Sequence, residues 1–277
     1  MSAANRVHLG AVGYLNARPL VYGLDLVPRF EVRYDVPSEC ARLLHAGTID
    51  VGLIPSIEYL RGGPFRIVPD LSIASRGPVA SVAVYTTKPM HDVRSIALDT
   101  SSRTSVALVG VLCARLFKIE PALHAHGPDL DDMLARCDAA LIIGDNALLL
   151  DHEKYEGRST KYEVEKIDLG EAWTTMTGLP FVYAFWAGRP DALASADVKA
   201  LQKARDAGVN QPDAIARAYF PDAPEHQALG ARYLRDNIKY YLGDEERAGL
   251  EAFYRYAAEA RLVPDAGTLR FYGRTFC

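Results

Sequence analysis

Short apolar runs recur along the chain, each followed by a polar turn and then by a stretch with helical spacing. Val7–Val12 is almost wholly apolar and reads as a strand. Gly13-Tyr14-Leu15-Asn16 is the turn after it, and Pro19 suits a first helical turn. Glu31–Val36 reads as a second strand, Ser38 as the N-cap of a helix over Glu39–Ala46, and Ile49–Ile54 as a third strand. Pro55-Ser56 opens a short helix through Leu60. This β-α-β-α-β order predicts a parallel sheet with helices on its faces. Arg66–Ala74 and Val79–Tyr85 read as longer strands, and Thr86-Thr87-Lys88-Pro89 then breaks the pattern.

A second set of the same kind follows. Ser95–Leu98 is a strand, Thr104–Phe117 an apolar helix, Leu123–His126 a strand, Leu130–Cys137 a helix and Ala139–Ile143 a strand. The charged stretch Asp151–Lys166 reads as solvated connection and Phe181–Ala187 as a strand. From Asp197 the pattern is helical, over Val198–Ala207, Asp213–Tyr219, Glu225–Tyr241 and Asp244–Ala260. Phe253, Tyr254 and Tyr256 on the last of these fit a packing face. Two α/β sets and a helical return predict two lobes, 1–87 with 189–277 and 88–188. The chain would cross near 86–89 and 187–190, and a ligand cleft would lie between the lobes.

Ligands in open α/β sheets bind beyond the carboxyl ends of the strands. Four polar segments sit there: Tyr14-Leu15-Asn16, Pro55-Ser56, Ser101–Ser105 and Gly144-Asp145-Asn146. The Ser/Thr cluster offers hydroxyls and backbone N–H groups at a helix start. That suits a carboxylate or phosphate, and it equally suits ordinary capping. Gly144-Asp145-Asn146 fits a tight turn as well as a binding wall. In Ser75-Arg76-Gly77-Pro78-Val79-Ala80-Ser81, Ser81 could reach a ligand. Arg76 could pair with a carboxylate or stand as a solvated loop cation.

Composition narrows the classes. Of 277 residues, 49% are hydrophobic and 24% charged, as in ordinary folded domains, and no apolar run approaches the roughly 20 residues of a membrane span. Lys and Arg total 31 against 35 Asp and Glu, a net charge of −4, so no broad basic field exists for nucleic acid. The four cysteines lack CxxC spacing, and a reduced state is expected. The start Met1–Arg6 carries no apolar leader, which points to the cytoplasm. Neither GxGxxG, GxxxxGK[ST] nor GxSxG occurs, so no nucleotide cofactor and no Ser-His-Asp chemistry is expected. His124 and His126 face one side of a predicted strand without further ligands, so no metal is expected either. No pattern specifies an oligomeric state.

Taken together, GAVGYLNARPL (10–20), VPSECARLLHAGTIDVGLIPSIEYL (36–60), SRGPVASVAV (75–84), ALDTSSRTSVALVGVL (97–112) and DAALIIGDNALL (138–149) resemble the chorismate dehydratase family. That family opens the futalosine route to menaquinone. The resemblance runs in order over roughly residues 7–190. It implies an α/β, two-lobed type II periplasmic-binding-protein-like fold, each lobe a mixed sheet flanked by helices. The activity it implies is conversion of chorismate, a small dicarboxylate, to 3-[(1-carboxyvinyl)oxy]benzoate and water without a cofactor. Carried onto this chain, Asn16 would stand near the leaving hydroxyl or the ring. Ser81, Thr104 and Ser105 would bind carboxylate oxygens, and Tyr14, Ser56, Gly144 and Asp145 would complete the walls. Arg76 would serve in charge pairing. No side chain declares itself as proton acceptor, so a substrate carboxylate is the candidate base.

Related folds give the alternatives. The sibling dihydroxynaphthoate synthase resembles a pattern with a His-Glu pair after the strand that here ends in Gly144-Asp145. A transporter's solute-binding protein uses the same clamshell without chemistry, but would need an export leader. Prephenate dehydratase resembles a Thr-Arg-Phe pattern that Ser102-Arg103-Thr104 does not match.

Overall fold

The computed structural model describes residues 6–151 and 164–273. The chain opens with β1 (Val7–Val12), a 3-10 turn (Leu15–Val21), β2 (Phe30–Asp35), α1 (Pro37–His45), β3 (Val51–Pro55), a 3-10 turn (Ser56–Leu60), β4 (Arg66–Ile67) and β5 (Ile73–Ser75). It continues through β6 (Val82–Thr86), β7 (Ser95–Asp99), α2 (Arg103–Leu112), β8 (Ala122–His126), α3 (Leu130–Arg136), β9 (Ala139–Ile143), α4 (Gly144–Leu148), β10 (Glu165–Asp168) and α5 (Leu169–Thr177). β11 (Phe181–Gly188) and the helices α6 (Ser195–Val209), α7 (Pro212–Tyr219), α8 (Pro224–Arg232) and α9 (Asp244–Glu259) complete it.

Two mixed sheets result. The first runs β2-β1-β3-β11-β4, with β5 also on β11; the second runs β10-β6-β9-β7-β8. In each, three parallel strands (β2-β1-β3 and β8-β7-β9) meet one antiparallel strand, β11 or β6. The two sheets therefore repeat one plan. The carboxyl ends of β1, β3, β7 and β9 become equivalent positions, and the four polar segments follow those ends. The inner strands β3, β9 and β11 are buried along their whole length, as strands covered on both faces must be.

The sheets exchange strands earlier than the sequence pattern suggests. β6 belongs to the second sheet and β11 to the first, so the crossings fall at 76–81 and 178–180, not at 86–89 and 187–190. The first crossing is punctuated by Gly77 (φ 83°) and Ala80 (φ 64°). The Asp168 carboxylate pins it, accepting from the N–H groups of Val79 (3.0 Å) and Ala80 (2.7 Å). The expected strand Val79–Tyr85 accordingly starts only at Val82.

Other expectations shift for local reasons. The strand read over Arg66–Ala74 is two short pieces, because Pro69 cannot donate to a ladder and Asp70 sits at φ 68°. α1 begins at Pro37, with Val36 and not Ser38 at the cap. The helix read through Phe117 ends at Leu112 and passes into a π-helical turn, Cys113–Phe117. The helix read over Glu225–Tyr241 breaks in the same way. A π-helical turn, Tyr233–Asn237, follows α8, and the chain then extends so that Ala74 and Lys239 exchange backbone hydrogen bonds. The solvated connection read over Asp151–Lys166 lies largely outside the described residues. Its end, Glu165 and Lys166, is instead in the edge strand β10, paired antiparallel with β6, where Glu165 is exposed.

The C-terminal helices pack mainly on the first sheet. α6 lies on the Leu15–Val21 turn and α9 against β11, where Phe253 and Tyr254 are buried and Phe253 meets Trp173 and Phe181 edge-on. α9 also touches α2, so it bridges both sheets. Cys40 and Cys113 are buried free thiols and Cys137 a half-buried one; Cys277 lies outside the described residues. Among the described residues no helix is long and apolar enough to cross a membrane, and no group of three or more His, Cys, Asp or Glu could hold a metal ion. His126 instead pairs with Asp132 at 3.2 Å.

One surface pair makes a measurable prediction. Asp138, at the β9 edge, accepts from Lys88 Nζ (2.6 Å) and the Arg94 N–H (2.8 Å), and the Lys88 contact above all lowers its carboxyl below the usual range. A depressed folded pKa means that the contribution is complete above the unfolded carboxyl value, roughly 3.9, and fades as pH falls through the lowered one. Asp138→Asn is expected to cost about 1 kcal/mol at pH 7, since Lys88 is half exposed. Denaturant titrations at pH 7 and pH 3 check it, because the difference should shrink at the lower pH.

Candidate functional site

A narrow cavity of about 40 Å³, partly open to solvent, lies between the carboxyl ends of the two sets of strands. The first sheet and its connections contribute Tyr14, Asn16, Pro55 and Tyr183. The second contributes Ser102, Ser105, Ile143 and Gly144, and Ser81 comes from the crossing between them. Five residues singled out from sequence thus meet on one space: Tyr14, Asn16, Ser81, Ser105 and Gly144.

Local folding explains each position. β1 ends at Val12, and the 3-10 turn beginning at Leu15 swings Asn16 into the gap. Ser102 caps α2: its hydroxyl accepts from the Ser105 N–H at 3.4 Å, and the two hydroxyls are 3.0 Å apart. The positive end of α2 therefore opens on the cavity. Gly144 has φ 63° and its N–H donates to the Ser81 carbonyl at 2.8 Å. A Cβ there would lie 2.9 Å from the Tyr14 ring, so the flat contact between this turn and Tyr14 requires glycine.

Ser81 is buried, and its hydroxyl oxygen lies 2.6 Å from that of Tyr233. Burial pushes the Tyr233 phenol up, partly offset by its polar neighbours Ser81 and Asn16. Asn16 Oδ1 is buried and has no hydrogen-bond partner among the described residues. On the opposite wall the Tyr14 hydroxyl donates to Ser101 Oγ (3.3 Å), and Ser101 donates to the buried carboxylate of Asp99 (2.6 Å). Burial raises the Tyr14 phenol, with the nearby Asp99 and Asp145 charges adding to it. The Tyr183 hydroxyl lies 3.1 Å from Ser75 Oγ.

Four expected residues stand elsewhere. Ser56 and Thr104 are fully buried behind the cavity wall. Ser56 Oγ donates to the Val182 carbonyl (2.8 Å), and Thr104 Oγ1 accepts from the Ile57 N–H (3.1 Å). The two hydroxyls, 3.4 Å apart, join the sheets, because each helix start turns its first hydroxyl toward the other. Arg76 is away from the cavity and ion-paired with Glu245 at the surface, so its expected charge pairing with a ligand is corrected to a surface contact. Asp145 does not line the cavity either. It accepts from the Leu15 N–H (3.2 Å) and from the Tyr219 hydroxyl, linking the second sheet to the turn that carries Asn16. Burial holds its carboxyl above the ordinary value, against the pull of those hydrogen bonds and of Arg18.

Tyr183, Tyr219, Tyr233 and Asp99 were not expected at the site. Asp99 offered a signal, as the last residue of a strand directly before the Ser/Thr cluster. The three tyrosines offered none, since each lies in a run that reads as ordinary strand or helix packing. Apart from Tyr14 and Tyr183 the lining has no titratable group among the described residues, and no Lys or Arg. Attraction for an anion rests on hydroxyls and the start of α2. The arrangement offers an anion both hydrogen-bond donors and acceptors between two sheets.

This architecture, two mixed sheets joined by crossings with a cavity between strand ends, is that of periplasmic-binding-protein-like folds. A crystal structure of an Archaeoglobus fulgidus protein matches with a TM-score of 0.73 at 16% identity, over 93% of this chain and 98% of that one. The alkanesulfonate-binding protein SsuA of Xanthomonas axonopodis matches with a TM-score of 0.62 at 15% identity, over 96% of both chains. Within that class the chain belongs to the menaquinone biosynthesis family, whose model matches residues 7–259. It is also similar to the chorismate dehydratase of Thermus thermophilus, 35% identical over 272 residues, 93% of this chain and 96% of the relative.

Proposed function

We propose that the protein dehydrates chorismate to 3-[(1-carboxyvinyl)oxy]benzoate, a carbon–oxygen lyase step in menaquinone biosynthesis carried out in the cytoplasm. The observation that carries this reading is the convergence of Tyr14, Asn16, Ser81, Ser105 and Gly144 on one cavity. All five lie in the segments that resemble the dehydratase family, and they come from both sheets. The two sheets act as the lobes of a clamp, and the cavity is the space they enclose.

The chemistry asks little beyond positioning. Loss of a ring proton and the adjacent hydroxyl makes the ring aromatic, so the reaction is downhill once one conformer is held. In this reading Ser81, Ser105 and the start of α2 take carboxylate oxygens, and Asn16 meets the departing hydroxyl. A carboxylate of the substrate takes the ring proton, in keeping with a lining that offers only phenols as titratable groups.

Purified protein is incubated with chorismate and followed by ultraviolet absorbance and mass. Loss of one water with an aromatic product is the expected result. Chorismate that binds but stays intact would instead make the chain a binding protein, as the similar SsuA is. Chorismate neither bound nor changed would remove both readings.

A further inference from the structure

Tyr233 does not line the cavity, yet its hydroxyl lies behind Ser81, which does. It is fully buried, sits at the first position of the π-helical turn after α8, and lies 2.6 Å from Ser81 Oγ. π-helical turns shift the side chains that follow out of the α-helical register and occur often at functional sites. Here the turn carries a phenol from the C-terminal helices to the meeting point of the first-sheet turn and the crossing.

Hydrogen-bond accounting gives this pair a direction. Either oxygen can donate across the 2.6 Å contact. A carboxylate in the cavity can only accept, so Ser81, which lines it, turns its proton to the carboxylate, and the Tyr233 proton then goes to Ser81 Oγ. One phenol thus sets Ser81 as a donor to an anion.

We infer that Tyr233 is a positioning residue that holds the Ser81 hydroxyl as the donor to a substrate carboxylate. Without the phenolic proton, the Ser81 hydroxyl is free to rotate back into its own wall. The ring of Tyr233 is packed, but only its hydroxyl performs this task, so phenylalanine removes the function and leaves the packing.

The inference rests on the proposed dehydratase reading, and a double-mutant cycle separates the two. Wild type, Tyr233→Phe, Ser81→Ala and the double variant are assayed for dehydration of chorismate, with melting temperatures recorded and rates read where all four are folded. Tyr233→Phe is expected to lower kcat/KM by about 10–100-fold, with KM raised as well as kcat lowered, which a smaller folded fraction would not produce. In the Ser81→Ala background the same change should cost less than about 3-fold, because the group it positions is already gone. Full multiplicative costs, or a Tyr233→Phe variant with wild-type kinetics, would overturn the assignment while leaving the dehydratase reading intact. A wild-type chain that leaves chorismate unchanged would remove the function first, and the positioning role with it.

Discussion

Replacing Asn16 by alanine is expected to lower chorismate turnover by about 10²–10³-fold, the range seen when one preorganised polar group is taken from a developing charge. The same variant should melt no lower than the wild type. Asn16 Oδ1 is buried and unpaired among the described residues, and such a group costs about 1–3 kcal/mol when no ligand satisfies it. Deleting it relieves that cost and creates a small space next to a cavity that already exists. Activity and stability should therefore move in different directions, as expected of a group held in place for a ligand. Asn16→Asp keeps the shape but replaces the amide donor by a carboxylate oxygen, in a cavity whose lining has no Lys or Arg to offset the charge. It too should lose turnover at neutral pH. Steady-state rates with thermal melts of both variants check the pair. Full turnover in either one would take Asn16 out of the mechanism.

The fold was legible where one physical signal dominated. Inner strands are covered on both faces, so Val7–Val12, Ala139–Ile143 and Phe181–Ala187 stand out as largely apolar runs, and all three are strands. Their polar followers were legible for the same reason, since a chain leaving a buried strand has to turn. The crossings were harder. Val79 and Ala80 look like strand residues, and the carboxylate that pins their N–H groups, Asp168, is 88 residues further on from Ala80. A local reading has no access to that contact.

At the site the same division holds. Tyr14, Asn16, Ser105 and Gly144 follow strand ends directly, and their placement comes from topology alone. Ser56 and Thr104 also follow strand ends, yet each spends its hydroxyl on the opposite sheet; which of two neighbouring hydroxyls faces a cavity depends on rotation within a single helical turn. Arg76 was read as a possible carboxylate partner, but Glu245 in α9 takes it, a contact set by how the last helix docks. Tyr233 was hidden because Glu225–Tyr241 has helical periodicity throughout, and the π-helical turn inside it leaves no mark on that pattern.

Substituting Gly208 by alanine is expected to destabilise the protein and to slow the reaction from outside the cavity. Helix propensity argues the other way: alanine inside a helix is favoured over glycine by about 0.8–1 kcal/mol. Gly208 is in α6, however, on the face that meets the Leu15–Val21 turn, and a Cβ there would lie 2.3 Å from the Pro19 carbonyl oxygen and 2.6 Å from its Cα. Those are backbone atoms, so no rotamer change relieves the contact and the turn must move away from the helix. Overpacking of this kind costs about 1–3 kcal/mol or somewhat more, which outweighs the propensity gain. A net loss of about 2 kcal/mol, read as a lowered denaturant midpoint at unchanged slope, is the expected outcome. The displaced turn is also the one that carries Asn16, and its Leu15 N–H is held by Asp145 of the second sheet. Turnover at a temperature where the variant is fully folded should therefore fall too, while Gly23→Ala, at a solvent-facing turn with nothing within 4 Å, should leave turnover alone. A Gly208→Ala protein with raised stability would mean that α6 can withdraw from Pro19 without cost, and that the turn bearing Asn16 is held by the Asp145 and Tyr219 contacts instead of by this close approach.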